Sequence, residues 1–520
     1  MAIIKYVLLV LICIRVSAEE LNVKHSERVE SPNIILFLVD DMGWQDSSVP
    51  FYSERTAFND FYKTPNMEKL ASQGMKFMNS YAHAICSPSR TSILTGQNPA
   101  RHHVTNWTFY ANRDQSSRTK NISSPIKWRM EGLQPGYTMT LPEALKTQDY
   151  KTIHVGKFHL GAAKTAGATP EGLGFDVNIA GHHAGAPRSF CGLNNYSSAY
   201  RGQGNRWQVP GLKKYHGKDI HLTDALTTEA NQAIETAVKE GKKFFLHMSH
   251  YTVHVPLEKH SPYYEEYLKA GVNEAEAKYA SMVQGMDASL GSILKKLEEL
   301  KVAEKTIIIF ASDNGGLSYG VRGKTPMGTG KNTHNWPLKA GKGSAYEGGT
   351  RTPLIVSWAS LAQNKLQEKI AIKPASQCHH MVISEDYYTT ICALAGVKCL
   401  DKSTLDGVDL TPLITGSKED VHSDLVFHIP HMWGPRGPGY EPHSAIRMGD
   451  WKAIYFYEGR NWELYNLKND ISEKQDLSKS NPEKLITLSN VLKRKLKQMD
   501  AQFPIDKRES KSIEPLWPMQ

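Results

Sequence analysis

The sequence predicts an α/β fold: a large mixed, mostly parallel sheet flanked by helices, followed by a smaller C-terminal antiparallel-sheet subdomain with a helix. Two observations predict it. Apolar, β-branched runs alternate with amphipathic stretches over most of the chain, and after about Leu410 the pattern changes to short strand-like pieces between polar turns. The 520 residues, 40% hydrophobic and 22% charged, can bury a large core and exclude wholesale disorder or a polytopic membrane protein.

Five apolar runs predict the strands of the large sheet. Each run is continuous rather than alternating, which is typical of strands covered on both faces. The predicted strands are 33–39, 150–155, 243–248, 306–311 and 354–358, and the predicted helices between them are 64–73, 224–240 and 274–300. The C-terminal strands are predicted at 425–429, 444–448, 451–457 and 463–467, with a basic helix at 482–498. We therefore expect a large domain over 31–410 and an α+β subdomain over 411–520.

Residues 1–18 resemble a secretory signal peptide. Lys5 precedes an apolar run over 6–14, and small residues follow at 16–18. The run is shorter than the roughly 20 apolar residues of a membrane span, so we expect export without stable membrane insertion; an uncleaved anchor is the alternative. The compartment would be extracellular, periplasmic or lysosomal, depending on the source.

The charge distribution limits the possible partners, and the cysteine content limits the possible disulfides. The net charge of +9 is spread along the chain, and no basic tract indicates nucleic acid. Once Cys86 is set aside, Cys191, Cys378, Cys392 and Cys399 allow three disulfide pairings in an oxidising compartment. Three Asn-x-Ser/Thr triplets begin at Asn106, Asn121 and Asn195, and the oligomeric state is left open.

Chemically active side chains follow four of the predicted strands. Because ligands of parallel α/β sheets bind at the carboxyl ends of the strands, we expect these side chains to converge on one crevice. They are Asp40 and Asp41 after the first strand, Lys157 and His159 after the second, His250 and His254 after the third, and Asp313 and Asn314 after the fourth.

The pairs Asp40-Asp41 and Asp313-Asn314 predict a site for a divalent cation. Adjacent carboxylates repel each other unless a cation neutralises them, and all-oxygen ligands favour calcium or magnesium over zinc. No Cys or His pair stands at a zinc-like spacing beside these acids. The alternative is that both pairs are ordinary turn residues.

Cys86 is placed at the start of a predicted helix. Pro88 suits the first turn of a helix that continues to Leu94, so Cys86 lies at the partially positive end, where a nucleophile or an anion is favoured. Arg90, one turn later, can reach the same anion. The alternative is a buried cysteine in a core helix.

The run Cys86-x-Pro88-x-Arg90, followed by Leu94-Thr95-Gly96, resembles the signature of the type I formylglycine-dependent sulfatases of the alkaline phosphatase superfamily. Further motifs agree in order from about Ser31 to Leu467. They are Val39-Asp40-Asp41-Met42-Gly43-Trp44, Gly156-Lys157-Phe158-His159-Leu160-Gly161, His254-Val255-Pro256, Ser312-Asp313-Asn314-Gly315, and Gly341-Lys342-Gly343 before Tyr346-Glu347-Gly348-Gly349. The resemblance implies an alkaline-phosphatase-like fold with its catalytic domain over 31–410, and a sulfuric ester hydrolase.

The resemblance also implies the cofactors. Cys86 would be oxidised after synthesis to formylglycine by a maturation enzyme, and the hydrated aldehyde would be the nucleophile. One calcium ion would be held by Asp40, Asp41, Asp313, Asn314 and the modified Cys86.

The other catalytic roles follow from the same resemblance. Lys157 and Lys342 would hold the sulfate group and offset charge in the transition state. Arg90 would steady the hydrated aldehyde, His254 would protonate the leaving alcohol, and His159 would act as the base that releases sulfate.

Substrate contacts are expected from the rim of the crevice. The candidates are His182 and His183 after the Gly174-Phe175-Asp176 turn, Arg101 and Trp107 after the nucleophile helix, Arg188 in a glycine-rich loop, and His428, His431 and Trp433 from the C-terminal subdomain. Polar and aromatic side chains of this kind suit a sugar. By analogy with exported polysaccharide and glycan sulfatases, we expect a sulfated carbohydrate of the galactose or N-acetylgalactosamine type.

Two other functions remain open at this point. A phosphomonoesterase or phosphonate hydrolase of the same superfamily would also use a metal and an anion clamp, although such phosphatases typically use two zinc ions and His ligands. A non-catalytic glycan-binding relative would result if Cys86 stayed unmodified; the intact acids, bases and lysines argue against it.

Overall fold

The computed structural model of the chain describes residues 31–117, 119–202, 204–318, 321–323, 334–398, 401–416, 421–434 and 438–518. The predicted signal peptide and Cys399 lie outside these residues. Fifteen strands and thirteen α-helices occur in the described part, with short 3-10 helices between them.

The strands are β1 Asn33–Val39, β2 Met75–Tyr81, β3 Ile122–Ser123, β4 Lys151–Gly156, β5 Val177–Ile179, β6 Phe244–Ser249, β7 Thr306–Ser312, β8 Leu354–Trp358, β9 Ser376–Ile383, β10 Leu425–Ile429, β11 His443–Met448, β12 Trp451–Phe456, β13 Asn461–Asn466, β14 Ile505–Asp506 and β15 Lys511–Ser512. The α-helices are α1 Ala57–Phe61, α2 Pro65–Gln73, α3 Cys86–Thr95, α4 Pro99–His102, α5 Leu141–Lys146, α6 Leu222–Lys239, α7 Tyr264–Lys269, α8 Glu274–Glu299, α9 Glu347–Thr350, α10 Lys365–Lys369, α11 Asp386–Ala395, α12 Thr411–Ile414 and α13 Pro482–Gln498.

Eight strands form one mixed sheet in the order β5-β4-β6-β1-β7-β8-β2-β9. β1 lies inside the sheet and pairs in parallel with β6 and β7, which places Ile35 beside Leu246 and Ile308. β4 pairs in parallel with β5 and β6, whereas β8 runs antiparallel to both of its neighbours, β7 and β2. The carboxyl ends of β1, β4, β6 and β7 therefore share one edge of the sheet.

Helices cover both faces of this sheet. Every residue of β1 is buried, and alternate side chains point to opposite faces. Ile35 and Phe37 pack in one core with residues of α6 and α8, whereas Ile34 and Leu36 pack in a second core with residues of α5 and α11. Burying an aliphatic or aromatic side chain stabilises the folded state by about 1.5–3 kcal/mol. Since both faces of β1 are buried, apolar residues are favoured at successive positions, which explains its unbroken apolar run.

A second sheet follows in the order β10-β11-β12-β13, with every pair antiparallel. Its two faces have different partners. Ile446 packs with Leu492 of α13 on one face, whereas Ile454 packs with Tyr81 and Tyr346 of the large unit on the other. The short sheet β15-β14-β3 joins the last described strands to residues 122–123.

The predicted elements are confirmed within two residues at each end, and the fold class is confirmed with them. Three strands of the large sheet, β2, β5 and β9, were not predicted from the sequence. β2 carries Lys76 and Asn79, and β9 carries His379 and His380, so neither reads as a continuous apolar run. β5 has only three residues, too few for a pattern.

The described cysteines form no disulfide. Cys191, Cys378 and Cys392 are free thiols, so none of the three pairings that the sequence left open is present in full. Burial raises the pKa of Cys392 to about 12, which keeps its thiol protonated and unreactive. Cys378 and Cys392 pack as small apolar side chains in the same core.

Two further observations concern export. None of the described helices is long and apolar enough to cross a lipid bilayer. Asn106 is fully buried and its Nδ2 donates to Ser116 Oγ at 2.8 Å, so the atom that would carry a glycan is enclosed by protein. Asn195, by contrast, is exposed.

A buried ionic network joins α8 to the loop after β1. Arg322 is fully buried; its Nη2 donates to Glu276 at 2.8 Å, and its Nη1 lies 3.2 Å from both carboxylate oxygens of Asp46. Asp46 also accepts from Gly43 N at 2.8 Å and from Tyr279 Oη at 2.6 Å. The network therefore holds the turn that follows Asp40 and Asp41.

Replacing Arg322 with Met should lower the free energy of unfolding by about 3–5 kcal/mol, because two buried carboxylates would lose their cation. Urea-induced unfolding measures this. Arg55→Met is the matched control: its partner Asp60 is 69% exposed, so a loss of about 1 kcal/mol or less is expected. Equal losses in the two variants would contradict a role for the buried network.

Candidate active site

A cavity of about 330 Å³ opens at the carboxyl edge of the large sheet. Its lining residues come from loops of the eight-stranded sheet, from a loop of the four-stranded sheet and from the first turn of α3. They are Cys86, Trp107, Gln115, Ser117, His159, Gly185, Ala186, Arg188, Trp207, His254, Val255, Lys342, Trp433 and Gly434. The cavity therefore joins residues that lie more than 300 positions apart in the chain.

Cys86 begins α3, a helix whose ten residues are all buried. The predicted position at a helix amino terminus is confirmed, and only 4% of Cys86 is exposed. Its Sγ lies 3.4 Å from Nδ1 of His159. The thiol is thus held at the floor of the cavity, at the partially positive end of the helix.

The protonation of His159 follows from its neighbours. Its Nε2 lies 2.9 Å from the carbonyl oxygen of Thr108, which can only accept, so Nε2 carries the proton. Burial, followed by Lys157 and Arg90, lowers the pKa of His159 well below its usual value. The ring is therefore neutral and presents the lone pair of Nδ1 to Cys86, which suits a base.

Two lysines pair with the acids that follow β1. Lys157 Nζ lies 2.8 and 2.7 Å from the two carboxylate oxygens of Asp40. Lys342 Nζ lies 2.5 Å from Oδ1 of Asp41. All four side chains are at most 5% exposed, so each charge depends on its partner.

Arg90 connects three strand ends. Its Nε donates to Asp313 Oδ2 at 2.8 Å, and its Nη1 donates to the carbonyl of Lys157 at 2.9 Å and to Ser249 Oγ at 2.6 Å. Its Nη2 lies 3.8 Å from Asp40 and has no hydrogen-bond partner among the described residues. The guanidinium therefore spans the carboxyl ends of β7, β4 and β6.

The carboxylates are crowded enough to disturb each other's titration. Burial raises the pKa of Asp40 well above its usual value; Lys157 opposes this, and Asp313 and Asp41 add to it. Burial would also raise the pKa of Asp41, but Lys342 holds it below its usual range. The cluster therefore favours additional positive charge beside Asp40.

Two oxygens of this cluster have no hydrogen-bond partner in the described part of the chain. They are Oδ2 of Asp41 and Oδ1 of Asn314, both on fully buried residues. Asn314 Nδ2 donates to Asp41 Oδ1 at 2.8 Å, and Asp41 N donates to Asp313 Oδ1 at 3.2 Å, so the residues are in contact. An unsatisfied buried acceptor costs about 1–3 kcal/mol, and these oxygens are of the kind that calcium or magnesium prefers.

His254 follows β6 in the chain, yet it lies beside Asp40 and Asp41, the acids that follow β1. Its Nε2 lies 3.6 Å from Asp41 Oδ2. Among the described residues, Asp40, Asp41 and His254 form the one group of three or more His, Cys, Asp or Glu side chains whose ligand atoms lie within 4.8 Å of one another. The Nδ1 of His254 lies 2.9 Å from the carbonyl of Val255 and so carries a proton. Burial, followed by Lys342, lowers the pKa of His254 to about 3, with Asp41 opposing.

Most of the predicted site residues meet here. Cys86, Arg90, Lys157, His159, His254 and Lys342 surround the same cluster as Asp40, Asp41, Asp313 and Asn314. Of the predicted rim residues, Trp107, Arg188 and Trp433 line the cavity.

Other predicted rim residues lie elsewhere. Both Nε and Nη2 of Arg101 donate to Asp406, at 2.8 and 2.7 Å, so its guanidinium is occupied outside the cavity. His182 is 9% exposed and meets His159 only through its carbonyl, which accepts from His159 N at 3.0 Å. The ring of His183 packs 5.1 Å from that of Phe109.

Three histidines named in the sequence analysis are structural. His250 Nε2 lies 3.0 Å from Ser289 Oγ of α8, so this side chain points into the helical layer rather than the crevice. His428 and His431 are buried, bonded to Ser444 and Thr105 respectively. Their partners are distant in sequence, which is why their spacing alone did not exclude them.

Two glycines allow the close packing of this site, and no packing role was predicted from the sequence for either. A Cβ at Gly185 would lie 2.2–2.7 Å from three atoms of the His159 ring. A Cβ at Gly343, whose φ is +86°, would lie 1.8 Å from the ring of Trp433. The signal for Gly185 was its place in the glycine-rich stretch 181–185, but only the structure identifies its partner.

The family model described as Sulfatase matches residues 32–397, which is more than half of the chain. This chain belongs to the sulfatase family. It is a sulfuric ester hydrolase with the fold that the sequence resemblance implied. A second model, described as N-sulphoglucosamine sulphohydrolase, C-terminal, matches residues 339–502 of the sulfatase.

Named relatives and solved structures agree with this family. A sulfatase of Formosa agariphila is 29% identical, over 87% of this chain and 85% of the relative. The human N-acetylgalactosamine-6-sulfatase is also 29% identical, over 86% and 76%. A crystal structure of Ps i-CgsB in complex with k-i-k-neocarrahexaose has a TM-score of 0.68 and 27% identity, over 91% of the sulfatase and 95% of that chain.

Replacing Gly185 with Ala should lower kcat/KM for an aryl sulfate by about 100-fold, because the new methyl group displaces the His159 ring from Cys86. Steady-state kinetics measure this, with thermal melting as a check on folding. Gly204→Ala is the control: its φ of +74° is strained for alanine, but no atom lies within 4 Å of the new Cβ. Full activity of Gly185→Ala would show that the position of His159 does not matter.

Proposed function

We propose that this sulfatase hydrolyses a sulfate ester of a sulfated carbohydrate, of the galactose or N-acetylgalactosamine type, through a formylglycine derived from Cys86 and one bound calcium ion. The observation that carries the proposal is the position of Cys86. It lies at the floor of the cavity, 3.4 Å from the unprotonated nitrogen of a neutral histidine and beside a buried cluster of acids.

The ligands proposed for calcium are Asp40, Asp41, Asp313, Asn314 and the modified Cys86. The donor set fits a hard cation, because two of its buried oxygens lack partners and its three carboxylates crowd one another. When bound, the ion would supply positive charge that neutralises the acids and polarises the sulfate ester. Lys157 and Lys342, which pair with Asp40 and Asp41, then have charge to offer to an anion.

The remaining roles are assigned to individual atoms. His159 Nδ1 faces Cys86 and is proposed as the base that releases sulfate. His254 directs Nε2 toward the site, since its Nδ1–H is engaged by the carbonyl of Val255. Nε2 is the atom proposed to protonate the leaving alcohol, and because the ring is neutral it must first take up a proton, which the negative charge of a bound sulfate ester would favour. Arg90 orients the strand ends, and its Nε donates to Asp313.

The carbohydrate class rests on the cavity walls and on relatives. Trp107, Trp207 and Trp433 line the cavity, and flat aromatic faces beside a few polar groups suit sugar rings. One relative is named for N-acetylgalactosamine 6-sulfate, and one related crystal structure holds a neocarrahexaose. We further propose that the protein is exported and that a formylglycine-generating enzyme modifies Cys86.

The modification of Cys86 is tested by the mass of the proteolytic peptide that contains it. In a host with a sulfatase maturation enzyme, we expect the peptide to have lost one sulfur and two hydrogens and gained one oxygen. Mass spectrometry of the peptide measures this directly. An unaltered cysteine in catalytically active protein would contradict the proposed nucleophile.

A variant provides the control for this experiment. Cys86→Ala should fold as the wild type does and lose at least about 1,000-fold in kcat for an aryl sulfate, because no nucleophile remains. Cys378→Ala, which changes a buried thiol outside the cavity, should keep the activity. Turnover by Cys86→Ala would show that another group attacks sulfur.

Calcium binding is tested by thermal stability without any assay of activity. Adding Ca²⁺ to metal-free protein should raise Tm, since free ligand at 100 times its Kd contributes about 2.7 kcal/mol of stability. Differential scanning calorimetry measures the shift. Asn314→Leu should abolish most of it by removing one oxygen ligand.

Asn59→Leu is the matched control for calcium binding. Asn59 is buried, and its Nδ2 donates to Ser47 O at 2.9 Å, away from the acids, so this variant should be destabilised yet keep the calcium shift. A shift produced by Zn²⁺ and not by Ca²⁺ would overturn the choice of metal and favour the His254-containing group.

A further inference from the structure

One wall of the cavity carries positive charge that the proposed chemistry at Cys86 does not use. Arg188 lines the cavity, and its side chain is exposed. Its guanidinium carbon lies 4.2 Å from the centroid of the Trp207 ring, the geometry of a cation–π contact. Burial and a neighbouring arginine lower the pKa of Arg188, and no described carboxylate opposes them.

The neighbouring arginine is Arg206, which is also exposed. Its Nη1 lies 3.3 Å from Tyr110 Oη, a neutral partner that leaves its charge uncompensated. Like charges repel each other, and exposed arginines normally turn away or find an acid. Here Trp207 keeps Arg188 in place, and the Trp207 ring is itself supported by Phe109, with ring centroids 4.3 Å apart.

We propose that Arg188, assisted by Arg206, binds a second anionic group of the substrate, carried by the sugar next to the one whose sulfate ester is hydrolysed. This inference rests on the proposed carbohydrate sulfatase function and adds a specificity determinant to it. A guanidinium binds the planar edge of a carboxylate or two oxygens of a sulfate through paired hydrogen bonds, so either group fits.

The position of this arginine pair agrees with the rest of the cavity. Lys342 lines the same cavity as Arg188, so one ligand can reach both cations. Trp207, which lies under Arg188, lines the same cavity. An anion bound between the arginines would also remove their mutual repulsion.

The experiment uses three disaccharides that share one sulfated galactose. The neighbouring sugar carries a sulfate, a carboxylate or no charge. In Arg188→Gln, we expect kcat/KM for the two charged-neighbour substrates to fall by about 10- to 100-fold more than for the neutral one, mainly through KM. Released sulfate measures the rates, and the larger of the two losses identifies the natural anion.

Two variants accompany Arg188→Gln. Arg206→Gln should give a loss of the same kind but smaller, because its guanidinium supports the site from one side. Arg494→Gln changes an exposed arginine of α13 and should leave all three rates unchanged. An equal loss for all three substrates in Arg188→Gln, or no loss for any, would overturn the proposal.

Binding to the inactive Cys86→Ala variant separates this inference from the proposed function. Isothermal titration should give a lower Kd for the charged-neighbour disaccharides than for the neutral one, and Arg188→Gln should remove that difference. If the wild type hydrolyses none of the three, the galactose assignment is wrong while these titrations still decide the role of Arg188. Absence of any preference for a charged neighbour would overturn it.

Discussion

The arrangement of the site depends on the mutual compensation of buried charges. Asp40, Asp41 and Asp313 are fully buried, and Lys157, Lys342 and Arg90 each lie within hydrogen-bond distance of one of them. An isolated buried carboxylate is costly, and removing one partner of a buried pair leaves the other uncompensated. The same cations that permit three acids at adjacent strand ends thus become available to an anion once another cation occupies the cluster.

The chemistry proposed for Cys86 depends on a second constraint, the orientation of the His159 imidazole. The carbonyl of Thr108 determines which nitrogen of His159 is protonated, and the absence of a side chain at Gly185 gives the ring its space. Neither contributes a reacting atom. Both determine whether a lone pair faces the first turn of α3.

Features of the fold and of the site that have a local physical cause could be predicted from the sequence. The double burial of β1 produces a continuous apolar run, and the acids that follow β1 and β7 were found because parallel strands end at one edge. Arg101 could not be excluded in this way, because its partner Asp406 comes from a loop that no local pattern connects to it. Trp207 was missed for the same reason: its role comes from Arg188 and Phe109, which approach it only in the folded chain.

Gly343 lies between Trp433, in the loop after β10, and the residues that precede Cys86. Gly343 N donates to the carbonyl of Ala84 at 2.7 Å, two residues before Cys86, and its other side faces the ring of Trp433. A sequence change that enlarges or shifts the loop around Trp433 would thus displace Gly343, and through Gly343 the turn that bears Cys86. A change of substrate preference made at Trp433 would therefore also shift Cys86. New specificities should arise more readily at cavity-lining residues that do not contact Gly343.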